Sequence, residues 1–391
     1  MFAVFRRARK AASIILLALG GLALSACDTG TVGGGGPSIN TDKPVPVALL
    51  VPRGSAQPGD AVLAQSLENA ARLAMADLGD VQIDLRVYDT AGDANTAAAV
   101  ATQAVDEGAK IILGPVYAGA ANAAGLAVLN RKVNVLAFSN NTKIAGGNVF
   151  VLGPTFENTA ARLTRFAARQ GKSKIVAVHS SDEAGQLGLE AIRQAVAGSG
   201  ATLAGTVAYE RSQQGVIDAV PRVKSTVEST GADSIFLTST TAGALPLFTQ
   251  LLPEAGLSPA TTQFIGLTRW DIPAQTLELP GVQGGWFALP DPARSEQFRA
   301  RYAAAYGGAP HPIGGLAYDG IAAIGALVGA GKSDALTGAA LTQGAGFQGV
   351  SGIFRLRPDG TNERGLAVAT IQNKQVVVID PAPTSFSGAG S

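Results

Sequence analysis

Residues 105–138 read VDEGAKIILGPVYAGAANAAGLAVLNRKVNVLAF. Lys110 to Leu113 and Val133 to Phe138 are short aliphatic, β-branched runs, and Gly119 to Arg131 between them is Ala-rich at helical spacing. The pattern predicts strand, loop, helix, strand. Strands that are apolar almost throughout, joined through a helix, imply parallel neighbours in a sheet covered on both faces. Gly108, directly after Glu107, reads as the C-cap of the helix before.

The same alternation extends in both directions. Upstream, Val47–Val51 and Val81–Tyr88 read as strands, with helices near Ala61–Leu78 and Thr96–Glu107. Downstream a second block has strands near Lys174–His179, Thr202–Tyr209, Ser234–Leu237 and Gln263–Gly266. Its helices lie near Glu157–Gln170, Gly185–Ala197, Gly215–Thr230 and Gly243–Leu252. After Gly284 the alternation loosens: Gly284–Ala288 and Gly352–Arg357 read as strands, Ala293–Tyr306 and Gly315–Val328 as helices, Leu366–Ile379 as a closing hairpin. The fold class is α/β with two Rossmann-like lobes, their parallel sheets flanked by helices. We expect a first lobe of residues 45–150 plus about 290–335, a second of 151–289 plus about 336–380, and a disordered tail over 381–391.

The N-terminal segment is of another kind. Arg6, Arg7, Arg9 and Lys10 precede an apolar run from Ala11 to Ala23, the n-region and h-region of a signal peptide over residues 1–26. That run is too short for a membrane-spanning helix, which needs about 20 residues. Leu24-Ser25-Ala26-Cys27 follows and resembles the lipobox of bacterial lipoproteins, in which the cysteine is lipidated and becomes the mature N-terminus. Cys27 is the sole cysteine, so a lipidated chain has no thiol for a disulfide in its oxidising compartment, and packing must hold it together. Residues 27–44 are Gly-rich and read as a tether. With 47% hydrophobic residues the body can form two cores, and a net charge of +1 gives no electrostatic case for nucleic acid.

Little points to an enzyme. The two histidines, His179 and His311, leave any metal site to carboxylates, and no Gly-x-Ser-x-Gly elbow is present. Ala326 to Ser333 fits a permissive phosphate-loop pattern, but it ends a predicted helix, where Gly331 reads better as a C-cap. Open parallel sheets bind ligands outside the carboxyl ends of their strands. The loops there carry Arg53 to Ser55, Ala118 and Gly119, and Ser139 to Thr142 in the first block; Ser180 to Glu183, Thr238 to Thr241 and Thr268 to Asp271 lie in the second. A solute touching both lobes would meet Gly119, Ser139, Asn140, Asn141 and Thr142 on one side and Asp182, Thr240 or Arg269 on the other.

Val47-Ala48-Leu49-Leu50-Val51-Pro52, Val87-Tyr88-Asp89-Thr90, Gly108 to Pro115, Val135-Leu136-Ala137-Phe138-Ser139 and Ala317-Tyr318-Asp319-Gly320 occur in that order. In order and spacing the chain resembles the type I periplasmic binding proteins, specifically the leucine/isoleucine/valine-binding family. The resemblance implies a two-lobed fold with several interdomain crossovers, a small amino-acid-like or related polar solute in the cleft, no cofactor, a membrane permease as partner, and a periplasmic location. It maps the family's threonine segment onto Asn140, Asn141 and Thr142. Departures are clear: the family's aromatic position falls near Ala184 and the acid that meets a ligand ammonium near Thr268, beside Arg269 and Trp270. A missing acid next to an extra cation argues against a plain neutral amino acid. Tyr88-Asp89-Thr90 and Gly114-Pro115 are also similar to the outer-membrane lipoproteins that activate penicillin-binding proteins, which would make the partner a cell-wall synthase.

Overall fold

The computed structural model describes residues 35–386, so the signal segment and Cys27 lie outside the described residues. The first sheet contains β1 (Val45–Val51), β2 (Ile83–Asp89), β3 (Ile111–Leu113), β4 (Asn134–Ala137) and β5 (Val149–Val151), all parallel, in the order β2-β1-β3-β4-β5. Between them run α1 (Asp60–Met75), α2 (Ala94–Asp106) and α3 (Ala118–Val128). Each strand feeds two cores, because side chains alternate across a sheet. On β1, Val47, Leu49 and Val51 point into one, and Ala48 and Leu50 into the other. On α1, Leu63, Leu67, Ala70 and Ala74 recur at helical spacing and are buried.

The second lobe follows the same plan. Its elements are α4 (Phe156–Arg169), β6 (Lys174–Ser180), α5 (Glu183–Ala197), β7 (Thr202–Tyr209), α6 (Gln213–Thr230), β8 (Ser234–Leu237), α7 (Leu245–Glu254), β9 (Gln263–Gly266) and β10 (Trp286–Leu289). From the β7 side the sheet reads β7-β6-β8-β9-β10, the first lobe's order repeated. Next come α8 (Pro292–Tyr306), α9 (Gly315–Gly329), α10 (Gly338–Leu341) and a small antiparallel sheet of β11 (Phe347–Gly349), β12 (Gly352–Leu356) and β13 (Asn362–Arg364). A hairpin of β14 (Ala367–Gln372) and β15 (Gln375–Asp380) completes the second sheet antiparallel to β10. The five parallel strands of each sheet, flanked by helices, are what the strand-helix alternation predicts, and the closing hairpin makes the second sheet mixed.

Three details differ from the sequence reading. Leu336, Leu341, Phe347, Phe354 and Leu356 belong to the first lobe's core, so the last passage into the second lobe comes after Arg364 rather than near residue 336. The tether was expected to run to residue 44, yet Ile39 is buried in the first lobe's core and Asn134 donates to the Gly35 carbonyl. The apolar Ile39 side chain has a core to join, which a Gly-rich composition does not reveal. The tail was expected to be free from residue 381. Instead Phe386 is buried under the Arg355 guanidinium, 4.5 Å from its ring centre.

Polar groups bind the crossings together. Arg364, its side chain 4% exposed, pairs with the fully buried Asp319 at 3.0 Å and also donates to the Leu152 carbonyl. Asn362 donates to the carbonyls of Val151 and Gly153, and Asn158 donates to the Asn362 carbonyl. The first and last passages between the lobes are thus one hydrogen-bonded unit.

Candidate ligand site at the second switch point

In a sheet of this order the strand sequence reverses beside the first strand of the lobe, and the crevice at that reversal is where open α/β sheets hold ligands. In the second lobe the reversal lies between β6 and β8. A cavity of about 490 Å3 opens there, lined by Phe156, Ser180, Asp182, Tyr209, Arg211 and the segment Thr238 to Thr240, together with the first turns of α5, α6 and α7. Gly185 lets α5 approach this closely: a Cβ there would sit 2.1 Å from the Ser180 carbonyl oxygen.

Asp182 caps α5, accepting from Gly185 N–H at 2.9 Å, and also takes the Ser180 hydroxyl at 2.6 Å and Arg211 Nη1 at 2.8 Å. The Ser180 hydroxyl, the Gly185 N–H and Arg211 together hold its carboxyl down to about 2. Asp182 is therefore an anion whose lone pairs are largely committed. Burial pushes the Tyr209 phenol up, so it stays neutral and its hydroxyl remains a donor. Ser239 is 3% exposed and its Oγ has no hydrogen-bond partner; Thr238 Oγ1 has none either. Both oxygens are themselves buried, in residues that form the cavity wall.

The first lobe's reversal lies between β1 and β3 and is arranged differently. Arg53, just after β1, pairs with Glu68 on α1 at 2.9 Å and with Asp89 at the end of β2 at 3.1 Å. The Tyr117 hydroxyl donates to both oxygens of the buried Asp60, at 2.7 and 2.8 Å; burial and that carboxylate push the phenol up to about 12. Gly114, with φ +85°, brings this turn against β1, where any Cβ would lie 2.3 Å from the Leu50 carbonyl oxygen.

Of the residues selected from the sequence, Asp182 and Thr240 line the second-lobe cavity. Ser139 is buried and accepts from Asn141 N–H, Asn141 caps a short 3-10 turn, and Asn140 and Gly119 are exposed. Thr142 donates to Glu157 and lines a different, more polar cavity of about 390 Å3 beside Arg357 and Glu363. Arg269 is not an available cation: its guanidinium forks onto Asp271. Trp270 beside it is fully buried, stacked 6.4 Å from Phe287. His179 is buried, with its ring N–H on the Ser180 carbonyl, and does not line the cavity. Arg211 and Ser239 are the residues the sequence choice passed over. Arg211 sits in the loop after Tyr209, which follows a strand just as the chosen loops do; Ser239 lies inside a chosen loop and had no mark to separate it from Thr240.

Among the described residues no cluster of three or more histidine or acidic side chains could hold a metal ion, and no helix is long and apolar enough to cross a membrane. The profile of the Periplasmic binding protein family matches residues 44–375. A solved structure from Rhodospirillum rubrum, described as a branched-chain amino acid ABC transporter, is 20% identical with a TM-score of 0.72, covering 86% of this chain and 100% of that one. A branched-chain amino acid ABC transporter ligand-binding protein from Burkholderia xenovorans is also 20% identical, with a TM-score of 0.66 and coverage of 86% and 96%. An ABC transporter substrate-binding protein from Desulfitobacterium hafniense, solved with Leu, is 18% identical with a TM-score of 0.62 and coverage of 86% and 100%. No curated protein matches the sequence. The family profile spans both lobes and every crossing between them, and the chain belongs to the periplasmic binding protein family.

Proposed function

We propose that this chain is a lipid-anchored periplasmic receptor that captures an amino-acid-like or related small polar solute between its lobes and presents it to the permease of an ABC importer. The observation that carries this reading is the cavity at the second lobe's switch point, lined by polar side chains from the loops after β6, β7 and β8. Family membership and the structural neighbours named for ABC transporters support it. Every residue lining the cavity comes from Phe156 onward, so the second lobe holds the solute first. Closure about the Asn158, Asn362 and Arg364 hinge then brings the first lobe's loops over it. Cys27 carries the anchor, and the signal segment directs export.

A thermal-shift screen of the mature protein against amino acids, amides, organic anions, short peptides and cell-wall fragments tests the receptor reading. A solute at about 100 times its dissociation constant raises stability by about 2.7 kcal/mol. Silence across the screen sinks the receptor reading. It would favour the second one, a non-transporting activator of penicillin-binding proteins, which the self-paired first switch point favours because a surface that binds a protein needs no open solute cavity.

A further inference from the structure

The chain does not stay in the lobe that holds its last strand. β15 closes the second lobe's sheet, and the residues just behind it are fastened to that lobe. Arg162 on α4, its side chain 13% exposed, pairs with Asp380 at 2.9 Å and donates to the carbonyls of Asp380 and Pro381, each at 3.3 Å. Arg169 pairs with the same carboxylate at 2.6 Å, and Ala382 packs against the second lobe's core. Four residues later, Phe386 is buried on the first lobe.

The seat of Phe386 is shaped for a ring. Arg355 on β12 lays its guanidinium 4.5 Å from the ring centre, and that guanidinium is itself held by Glu363 at 2.6 Å and the Gly344 carbonyl at 3.3 Å. Gly346, at φ +68°, leaves room for the ring edge: a Cβ there would lie 2.9 Å from Phe386 Cε2. Apolar burial and a cation over the ring face both favour the seated position. β11 and β12 carry Phe347 and Phe354 into the first lobe's core, so the seat moves with that lobe.

Between the two anchors stand only Pro383, Thr384 and Ser385, all exposed. Four peptide steps reach about 14 Å at most when fully extended. Pro383 fixes its own φ and restricts Ala382 before it, so the link is stiff as well as short. It runs beside the passage from β13 to β14, where a Cβ on Gly365 would lie 3.2 Å from Pro383 Cγ. Rotation of one lobe against the other must be absorbed by three exposed residues or must unseat Phe386.

We propose that residues 382–386 are a latch between the lobes. With Phe386 seated they hold the interlobe angle to a narrow range, and wider rotation requires the ring to leave its seat. The seat is thereby part of the equilibrium between lobe arrangements, and a ligand or partner that selects another angle works against it. The latch acts on the lobes whatever they close on, so it stands apart from the receptor reading.

Double electron–electron resonance measures the interlobe distance directly. Spin labels go on Asn95→Cys and Gln214→Cys, exposed positions in the first turns of α2 and α6, one helix in each lobe. The mature chain also carries Cys27→Ser, so that no other thiol is labelled. The expected result is a single narrow distribution, which becomes broader and displaced when Phe386→Ala is added or when the chain stops at Pro381. A Gly-Ser-Gly-Ser-Gly-Ser insertion between Pro383 and Thr384 keeps both anchors and should broaden the distribution in the same way. It lies among exposed residues, so it reports even where Phe386→Ala disturbs the first lobe. A distribution that the insertion leaves unchanged overturns the latch, whatever Phe386→Ala does, because the ring would then act only by packing within its own lobe. One that Phe386→Ala leaves unchanged overturns the seat. The measurement uses no solute, so a silent ligand screen does not alter its outcome.

Discussion

The two lobes repeat one strand order, yet their switch points are used in opposite ways. In the first, Tyr117 from the loop after β3 sits on Asp60, and beside it Glu68 and Asp89 both hold Arg53, so these side chains are satisfied from within. In the second, a cavity remains and two hydroxyls in its wall have no partner. Topology therefore marks two equivalent places, and the pairing of polar groups tells them apart: one is closed by its own side chains, the other keeps a cavity.

The largest expected effect calibrates the frame that both lobes share. Asp319→Ala leaves Arg364 charged and buried without its partner, and breaking such a pair costs about 3–5 kcal/mol. Chemical denaturation measures it. A loss under about 1 kcal/mol would mean that the crossings are held by something other than this network.

A matched pair of serines tests the comparison itself. Ser139→Ala in the first lobe removes the acceptor of the Asn141 N–H and should cost about 1 kcal/mol. Ser239→Ala in the second removes a buried hydroxyl that has no partner in the free protein, so the ligand-free variant should be as stable as the parent or more so, by up to about 1–3 kcal/mol. Equal destabilisation by both substitutions would erase the distinction between the two switch points. Tyr117→Phe is a weaker probe of the first: losing its bond to Asp60 should cost about 1 kcal/mol and leave solute affinity unchanged.

The smallest effect is one of pH. The folded-state pKa of Asp182, about 2, lies below the ordinary value of 3.8, so its contribution to stability is complete above the ordinary range and is lost as pH falls from about 4 towards 2. Stability in Asp182→Asn should fall less steeply across that window than in the parent. Parallel curves would show that the contacts of Ser180, Gly185 and Arg211 with this carboxylate are weak in solution.

Much of the architecture is legible in the sequence, because aliphatic strand runs with helices between them carry their own pattern, and even the three-residue β3 is legible between the Gly108 cap and Gly114-Pro115. β5, β11 and β13 are equally short but do not alternate with a helix on each side, and they are not legible. The late return of the chain is hidden for another reason: Phe347, Phe354 and Leu356 suit either core, and only packing shows which one they fill. The site is less legible than the fold. Arg269 looks like a free cation until Asp271, two residues on, is seen to fold back onto it. Ser239 is one hydroxyl among many, and a missing partner is a property of three dimensions. Arg211 could have been found by treating the loop after every parallel strand alike, since it follows Tyr209 as Asp182 follows Ser180.

We place the solute in the second-lobe cavity. Thr240 lines it from an exposed position, so Thr240→Trp should fill the space while leaving the fold intact. The direct measurement is the thermal shift of parent and Thr240→Trp proteins with whichever solute the screen returns. A shift in the parent that disappears in the variant is the predicted result; equal shifts in both would contradict the claim.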